Sequence, residues 1–180
     1  MKPLFWFLGL VAGALALMTL AGLFLPRDHV AAVSLRLDAG PAAVFATLSN
    51  FEGAPGWRHD VERVERLAPL DGKPSWREYT AHGPVTYVLE MFAPGSRMVV
   101  AIDDDDLPYG GRWVYVLEPD GGGTQLTITE EGFVKNPLFR FLSHIVFGQT
   151  ATLEAYLADL AAHFGEAAAP RVVLGSPAGV

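Results

Sequence analysis

Hydrophobic and polar positions divide the chain into three stretches. From Leu4 to Leu25 no charged residue interrupts a run of 22 residues. At 1.5 Å per residue an α-helix of that length spans about 33 Å, against about 30 Å for the hydrocarbon core of a bilayer. The pattern predicts a single transmembrane helix as an anchor over 1–27. A cleaved secretion signal is the rival reading. Its apolar core is shorter, about 7–15 residues, and ends at a small-x-small site. Thr19-Leu20-Ala21 comes nearest to such a site, but apolar residues continue past it. Lys2 and the α-amino group flank one end of the run, and Arg27 is followed at once by Asp28 at the other. This small bias predicts a single-pass membrane protein with its N-terminus in the cytoplasm and the domain outside. Gly9-x-x-x-Gly13 has the spacing of close helix packing, a match that is frequent by chance.

Over 28–165 the period changes. His29–Leu37 alternates, with Val33, Leu35 and Leu37 on one face, and predicts a strand. Asp38-Ala39-Gly40-Pro41 ends it and opens a helix over 42–48, with Val44, Phe45 and Leu48 on its buried side. A loop over 50–56 and a short helical turn at 57–60 come next. Strands are predicted near 61–67, 75–81, 85–92, 98–102, 111–118 and 124–131, punctuated by proline and glycine. Pro119-Asp120-Gly121-Gly122-Gly123 is the clearest hairpin signal. Asn136-Pro137 opens a helix with an N-cap residue followed by proline at the first position. Leu142, Val146, Gln149, Leu153, Tyr156, Leu157, Leu160 and Phe164 recur at three- and four-residue steps, so one long C-terminal helix is expected, stopped at Gly165. Residues 166–180 are small and rich in proline and glycine, and an unstructured tail is expected there. The class is α+β, with the folded domain over 28–165.

Composition narrows the chemistry. A formal charge of −7 over 180 residues argues against nucleic-acid binding, which needs a basic patch. No cysteine is present, so disulfides, thiolate metal sites and cysteine nucleophiles are excluded. The five histidines, at 29, 59, 82, 144 and 163, show no helical ligand spacing, and no metal or cofactor is expected. The run Asp103–Asp106 lacks the spacing and glycine of a calcium loop and reads as a solvated loop.

The element order and several local sequences resemble the START-like superfamily (SRPBCC), in its polyketide cyclase/dehydrase branch. Carrying the likeness are Pro41-x-x-Val44-Phe45-x-x-Leu48-Ser49-Asn50-Phe51, then Trp57, Val61 and Val64. Gly111-x-Trp113-x-Tyr115, Gly123-Thr124-x-Leu126-x-Ile128-Thr129-Glu130-x-Gly132 and the terminal helix complete it. The resemblance covers 29–165 and implies a helix-grip fold: a seven-stranded antiparallel sheet around a long C-terminal helix, enclosing a hydrophobic cavity. It also implies an apolar small molecule or lipid as ligand, and admits cyclases.

Candidate cavity residues are Trp57, Tyr79, Tyr87, Arg112, Trp113, Glu130 and Phe139. In one register of the last hairpin, Arg112 faces Glu130, and both point inward with Val114, Val116, Leu126 and Ile128. A turn one residue longer or shorter puts Trp113 and Tyr115 inward instead. The competing reading is a structural ion pair or an exposed glutamate. Aromatic residues at these spacings are core in most folds, and Arg77 and Arg97 are further candidates for a polar end. Leu138–Phe147 is apolar on nearly every face, which a helix buried along one stripe does not need. Either other segments cover it, or it forms a cavity mouth near the bilayer.

Three functions follow. The first is a membrane-anchored binding or carrier protein for an apolar small molecule or lipid. The second is a protein-interaction or regulatory module with no ligand. The third is a cyclase/dehydratase-type enzyme on a polyketide-like substrate, for which Glu130, Glu90, His59 and Tyr87 are loose acid–base candidates with no evident partner. No complete catalytic site is expected. A roomy apolar cavity favours the first, a filled one the second, and an acid and base meeting at one point the third.

Overall fold

A computed structural model describes residues 2–148 and 150–173. Helix α1 (Lys2–Leu23) is apolar on almost every face. It is long and apolar enough to cross a membrane, and among its described residues only Gly22 is buried against the rest of the chain. Pro26, which cannot continue a helix, follows α1 and leads into β1 (Asp28–Leu37). The chain then forms α2 (Pro41–Ser49) and a 3-10 helix (Phe51–Gly56). Here the short helical turn falls within the stretch expected to be a loop, because Pro55 and Gly56 end it before Trp57.

Six strands follow: β2 (Val61–Arg66), β3 (Ser75–Thr80), β4 (Gly83–Ala93), β5 (Arg97–Ile102), β6 (Tyr109–Asp120) and β7 (Gly123–Val134). Each pairs antiparallel with the next, and β1 closes against β7. The expected seven strands are present, and an eighth, β8 (Arg171–Val172), adds to the free edge of β1. Part of the expected unstructured tail is therefore ordered. The Val173 amide donates to the Ala32 carbonyl at 2.9 Å, and the edge of β1 supplies partners that the tail lacks by itself. Residues 174–180 lie outside the described residues.

The concave face of the sheet carries Val33, Leu35 and Leu37 from β1, Met98 from β5, and Leu126 and Ile128 from β7, nearly all fully buried. Val44, Phe45 and Leu48 of α2 close one end of this core. The C-terminal helix is where expectation and structure part. Instead of one long helix there are three pieces: α3 (Pro137–Leu142), a π-helical turn (Ser143–Phe147) and α4 (Ala151–His163). Gly148 separates them at φ 76°, a backbone state that ends a helix and that glycine adopts without a Cβ penalty. In α4, Leu153, Tyr156, Leu157 and Leu160 are buried on the sheet, as the stripe predicts, and Ala161 is buried beside them. Gln149 and the side chains of Val146 and Phe147 lie outside the described residues.

The β6–β7 hairpin corrects the register set out above. Asp120 pairs with Gly123, and Gly121 and Gly122 form a two-residue turn at φ 58° and 93°, the values of a type I′ hairpin. That turn places Arg112 opposite Glu131 and Trp113 opposite Glu130. Trp113, Tyr115 and Leu117 face inward with Glu130, while Arg112, Val114 and Val116 face outward. A three-residue loop would be needed for Arg112 to meet Glu130.

Helix α3 is welded to the end of α1. The Asn136 side chain caps α3 by accepting from the Leu138 and Phe139 amides, as its sequence predicts. One turn on, the Arg140 guanidinium is buried. Its Nη1 donates to the carbonyls of Gly22 and Leu25, both at 3.2 Å. Nε and Nη2 donate to Val134, and Nη2 also to Lys135. Gly22 lies so close that a Cβ there would sit 1.9 Å from the Pro137 carbonyl oxygen.

Arg140→Ala leaves these buried carbonyls without donors, at a cost of about 1–3 kcal/mol for each one that water does not reach. The expected outcome is undocking of α1 from α3. Trypsin should then cut at Arg27 at least about tenfold faster than in the native chain; an unchanged rate would contradict the weld.

Candidate functional site

Because α4 begins only at Ala151, the sheet is not filled along its whole length, and a cavity of about 740 Å³ remains between sheet and helices. Aromatic rings are prominent on its wall beside aliphatic and polar residues. Phe51 stacks on Trp76 at 3.7 Å between centroids, and Trp76 stacks in turn on Tyr87 at 5.8 Å. Across the cavity Tyr156 of α4 takes Trp57 and Trp113 edge-on, at 5.2 and 5.3 Å. These rings arise from opposite faces of the architecture, strands below and helix above, and they meet because alternate strand residues point the same way.

Two polar clusters interrupt the aromatic surface. In the first, Arg58 Nη1 donates to Glu78 at 2.8 Å, while Nε and Nη2 grip the two oxygens of Asp60 at 3.0 and 2.8 Å. Trp76 Nε1 donates to the second oxygen of the buried Glu78 at 3.1 Å, and the guanidinium lies 5.2 Å from the Tyr156 ring centre. Burial disfavours the charged guanidinium, but the Asp60 hydrogen bond and the Glu78 charge outweigh it and hold its pKa above the ordinary arginine value. Burial likewise works against the Asp60 carboxylate, and the Arg58 hydrogen bond reverses that, leaving Asp60 below its ordinary value. The second cluster is a His29–Glu130 pair, Nε2 to Oε1 at 3.4 Å, both on the cavity wall. Gly132 makes room for it, since a Cβ there would stand 2.6 Å from the imidazole.

Of the residues expected at the cavity, Trp57, Tyr87, Trp113, Glu130 and Phe139 lie on its wall. Arg112 borders it, but its guanidinium turns outward to Glu131 at 2.7 Å and Glu90 at 3.8 Å, the consequence of the hairpin register. Tyr79 faces the other side of β3. Its hydroxyl donates to Glu65 at 2.6 Å and Arg63 stacks over its ring, because strand alternation gives the inward positions to Trp76 and Glu78. His59 is a surface residue paired with Asp159, and Arg77 donates to Thr86 at 3.2 Å. Arg58, Asp60, Glu78 and His29 are the polar groups that sequence reasoning did not place here. The one local signal was Trp57-Arg58-x-Asp60, whose i, i+2 charges meet across the turn into β2.

Several lining residues are also solvent-exposed, Asp60, His82 and Arg112 among them, and two aromatic ones mark an opening beside α3. Tyr109, from the start of β6, is 40% exposed, and Phe139, from α3, is 51% exposed. That side of the cavity is walled by α3 and the end of β7, the segments that Arg140 fastens to α1.

Burial also sets how the tyrosines titrate. It raises Tyr87 and Tyr115 well above the ordinary phenol range and moves Tyr156 up to about 12. The unfolded chain releases each of these protons near pH 10 and the folded chain holds them. The contribution of Tyr156 to stability is therefore present in full below about pH 10 and lost as pH rises towards about 12, and those of Tyr87 and Tyr115 persist to higher pH. Tyr156→Phe should make the fall in urea stability between pH 10 and 11.5 shallower, by about 1.4 kcal/mol per pH unit at most. Equal slopes for variant and native chain would show that Tyr156 ionises as freely in the fold as out of it.

Residues 28–165, from β1 to the end of α4, match the family described as polyketide cyclase/dehydrase and lipid transport. No curated protein matches the chain. Among solved structures it is similar to a START superfamily protein from Mycobacterium smegmatis, at a TM-score of 0.61 and 19% identity, over 75% of this chain and 96% of that one. It is similar also to the Zhui aromatase/cyclase from Streptomyces sp. R1128 (TM-score 0.60, 14% identity, 76% and 93% of the two chains). A hypothetical protein from Helicobacter pylori shares the architecture at a TM-score of 0.63 and 11% identity, over 75% and 87%. At these identities the likeness is one of fold, the START-like fold. The family match covers most of the sequence and the whole of the cavity-forming domain, and the chain belongs to the polyketide cyclase/dehydrase and lipid transport family.

Proposed function

We propose that this protein is a membrane-anchored carrier or binding protein for an apolar small molecule or lipid, taken up through the opening beside α3. The observation that carries the reading is the coincidence of two features. An aromatic-walled cavity of about 740 Å³ is large enough for a ligand of ordinary size. Its opening lies against the helix to which α1, the segment long and apolar enough to cross a bilayer, is fastened. Phe139 on the rim and Ile145 in the π-helical turn after α3 are apolar and 51% and 63% exposed. In this reading α1 spans the membrane, the domain stands outside the cytoplasm, and the rim dips into the interface so that a ligand passes between bilayer and cavity without crossing water.

A second reading, a cyclase/dehydratase on a polyketide-like substrate, draws support from the His29–Glu130 pair, an imidazole and a carboxylate side by side on the wall. The carrier reading is favoured because Arg58 is tied to Asp60 and Glu78 and because Tyr87, another acid–base candidate, is pushed up by burial, away from a useful pKa.

Native mass spectrometry of the full chain released from detergent, with extraction and identification of what co-purifies, tests the proposal. The expected result is an added mass of one apolar molecule per chain, lost when Trp113→Ala opens the cavity wall. A chain that carries nothing and takes up nothing from lipid extracts on titration would refute it.

A further inference from the structure

This inference rests on the reading that the cavity takes an apolar ligand, and it concerns the polar end of that ligand. Charged side chains reach the cavity as three carboxylates, Asp60, Glu78 and Glu130, and two guanidiniums, Arg58 and Arg112. Both cations are spoken for. Arg58 is committed through Nε, Nη1 and Nη2 to Asp60 and Glu78. Arg112 is drawn to the outer surface by Glu131 and Glu90. Arg140 and Lys135 do not line the cavity. Arg140 is held by backbone carbonyls, and the Lys135 ammonium donates to the Asp105 carbonyl at 2.7 Å.

The carboxylates retain capacity. Each has about four acceptor positions, and on Glu130 the His29 ring engages one oxygen. On Asp60 and Glu78, Arg58 and Trp76 supply one donor to each oxygen. Neutral groups share the rest of the polar surface, among them the hydroxyls of Tyr87, Tyr115 and Tyr156, the Asn50 amide and the His82 imidazole. The cavity thus presents an excess of carboxylates over guanidiniums and, among the described residues, no uncommitted lysine or arginine.

An anionic head entering this space gives up its hydration and gains no countercharge, the costly case for a buried ion. A hydroxyl head gives up less and brings the donor that the carboxylates lack. We infer that the cavity selects an apolar molecule whose head is non-anionic and donates hydrogen bonds, an apolar alcohol, and that it rejects fatty-acid carboxylates and lipid phosphates. Glu130 sets this selectivity as the carboxylate on the wall with no guanidinium beside it.

The test uses two fluorescent probes that share a pyrenyl-dodecyl body and end in a hydroxyl or a carboxylate. Each is titrated at pH 8 into the full chain in nanodiscs of neutral lipid, with empty nanodiscs as the reference. The native chain should bind the alcohol at least about tenfold more tightly than the carboxylate, some 1.4 kcal/mol. Glu130→Gln should narrow the gap by raising carboxylate affinity. Equal or tighter binding of the carboxylate by the native chain overturns the selectivity while leaving the carrier reading in place. Binding of neither probe overturns both. An unchanged preference in a folded Glu130→Gln chain overturns the role of Glu130, and Glu130→Ala then repeats the measurement without any side-chain acceptor.

Discussion

A buried guanidinium persists only where its donors are matched, and the position of every other part of this molecule relative to α1 follows from how Arg140 meets that demand. Its five N–H groups are satisfied by four main-chain carbonyls: two from the last turn of α1 and the residues just beyond, two from the end of β7 and the residue after it. No carboxylate takes part among the described residues. The carbonyl end of α1, which carries the negative pole of its helix, helps to offset the charge. Gly22 adds the steric half of the constraint, since anything larger would strike Pro137. Helix α1 is thereby fixed to the domain and does not hang from it as a leash, and the wall of the cavity built from α3 and β7 keeps a constant place beside it.

The cavity is a product of interruption. A single helix from Pro137 to Phe164 would lie across the whole sheet; Gly148 breaks it, sends α3 towards α1 and leaves α4 alone to cover the lower half. What remains open is lined by rings that the two-residue turn at Gly121-Gly122 has brought inward. Arg58, Asp60 and Glu78 hold the far wall rigid by mutual hydrogen bonding. Removing Arg58 would leave the buried Glu78 carboxylate without its countercharge, the costly case for a buried ion.

Periodicity in the sequence made much of this legible. Strand alternation located β1 to β7 to within a few residues, Asn136-Pro137 marked the start of α3, and the uncharged run of 22 residues marked α1. Three things were not legible, each for a physical reason. Register depends on whether a glycine-rich turn uses two residues or three, and Pro119–Gly123 suits either; the choice moved Arg112 out and Trp113 in. The break at Gly148 sits inside an apolar pattern that continues on both sides, so the stripe hides it. Arg140 and the Arg58 network depend on partners that are remote in sequence: 118 residues separate Arg140 from Gly22, and 20 separate Arg58 from Glu78. Glu130 and the inward aromatics share a face that alternation can pick out once the turn length is known. Tyr79 stands on the opposite face of β3, because two adjacent strand residues cannot be told apart without knowing which face is buried.

In the proposed arrangement, the rim of the cavity lies in the membrane interface at a depth set by the Arg140 weld. Depth-resolved quenching measures this most directly. Phe139→Trp, in a chain whose Trp6 is changed to Phe, is reconstituted in bilayers of lipids brominated at different positions along the acyl chain. The account predicts strong quenching of the introduced tryptophan by bromines near the headgroup, falling for deeper ones, and loss of that quenching when Arg140→Ala is added. No quenching beyond that of the parent chain with Phe139 intact, at any bromine depth, would place the rim in water and contradict the account.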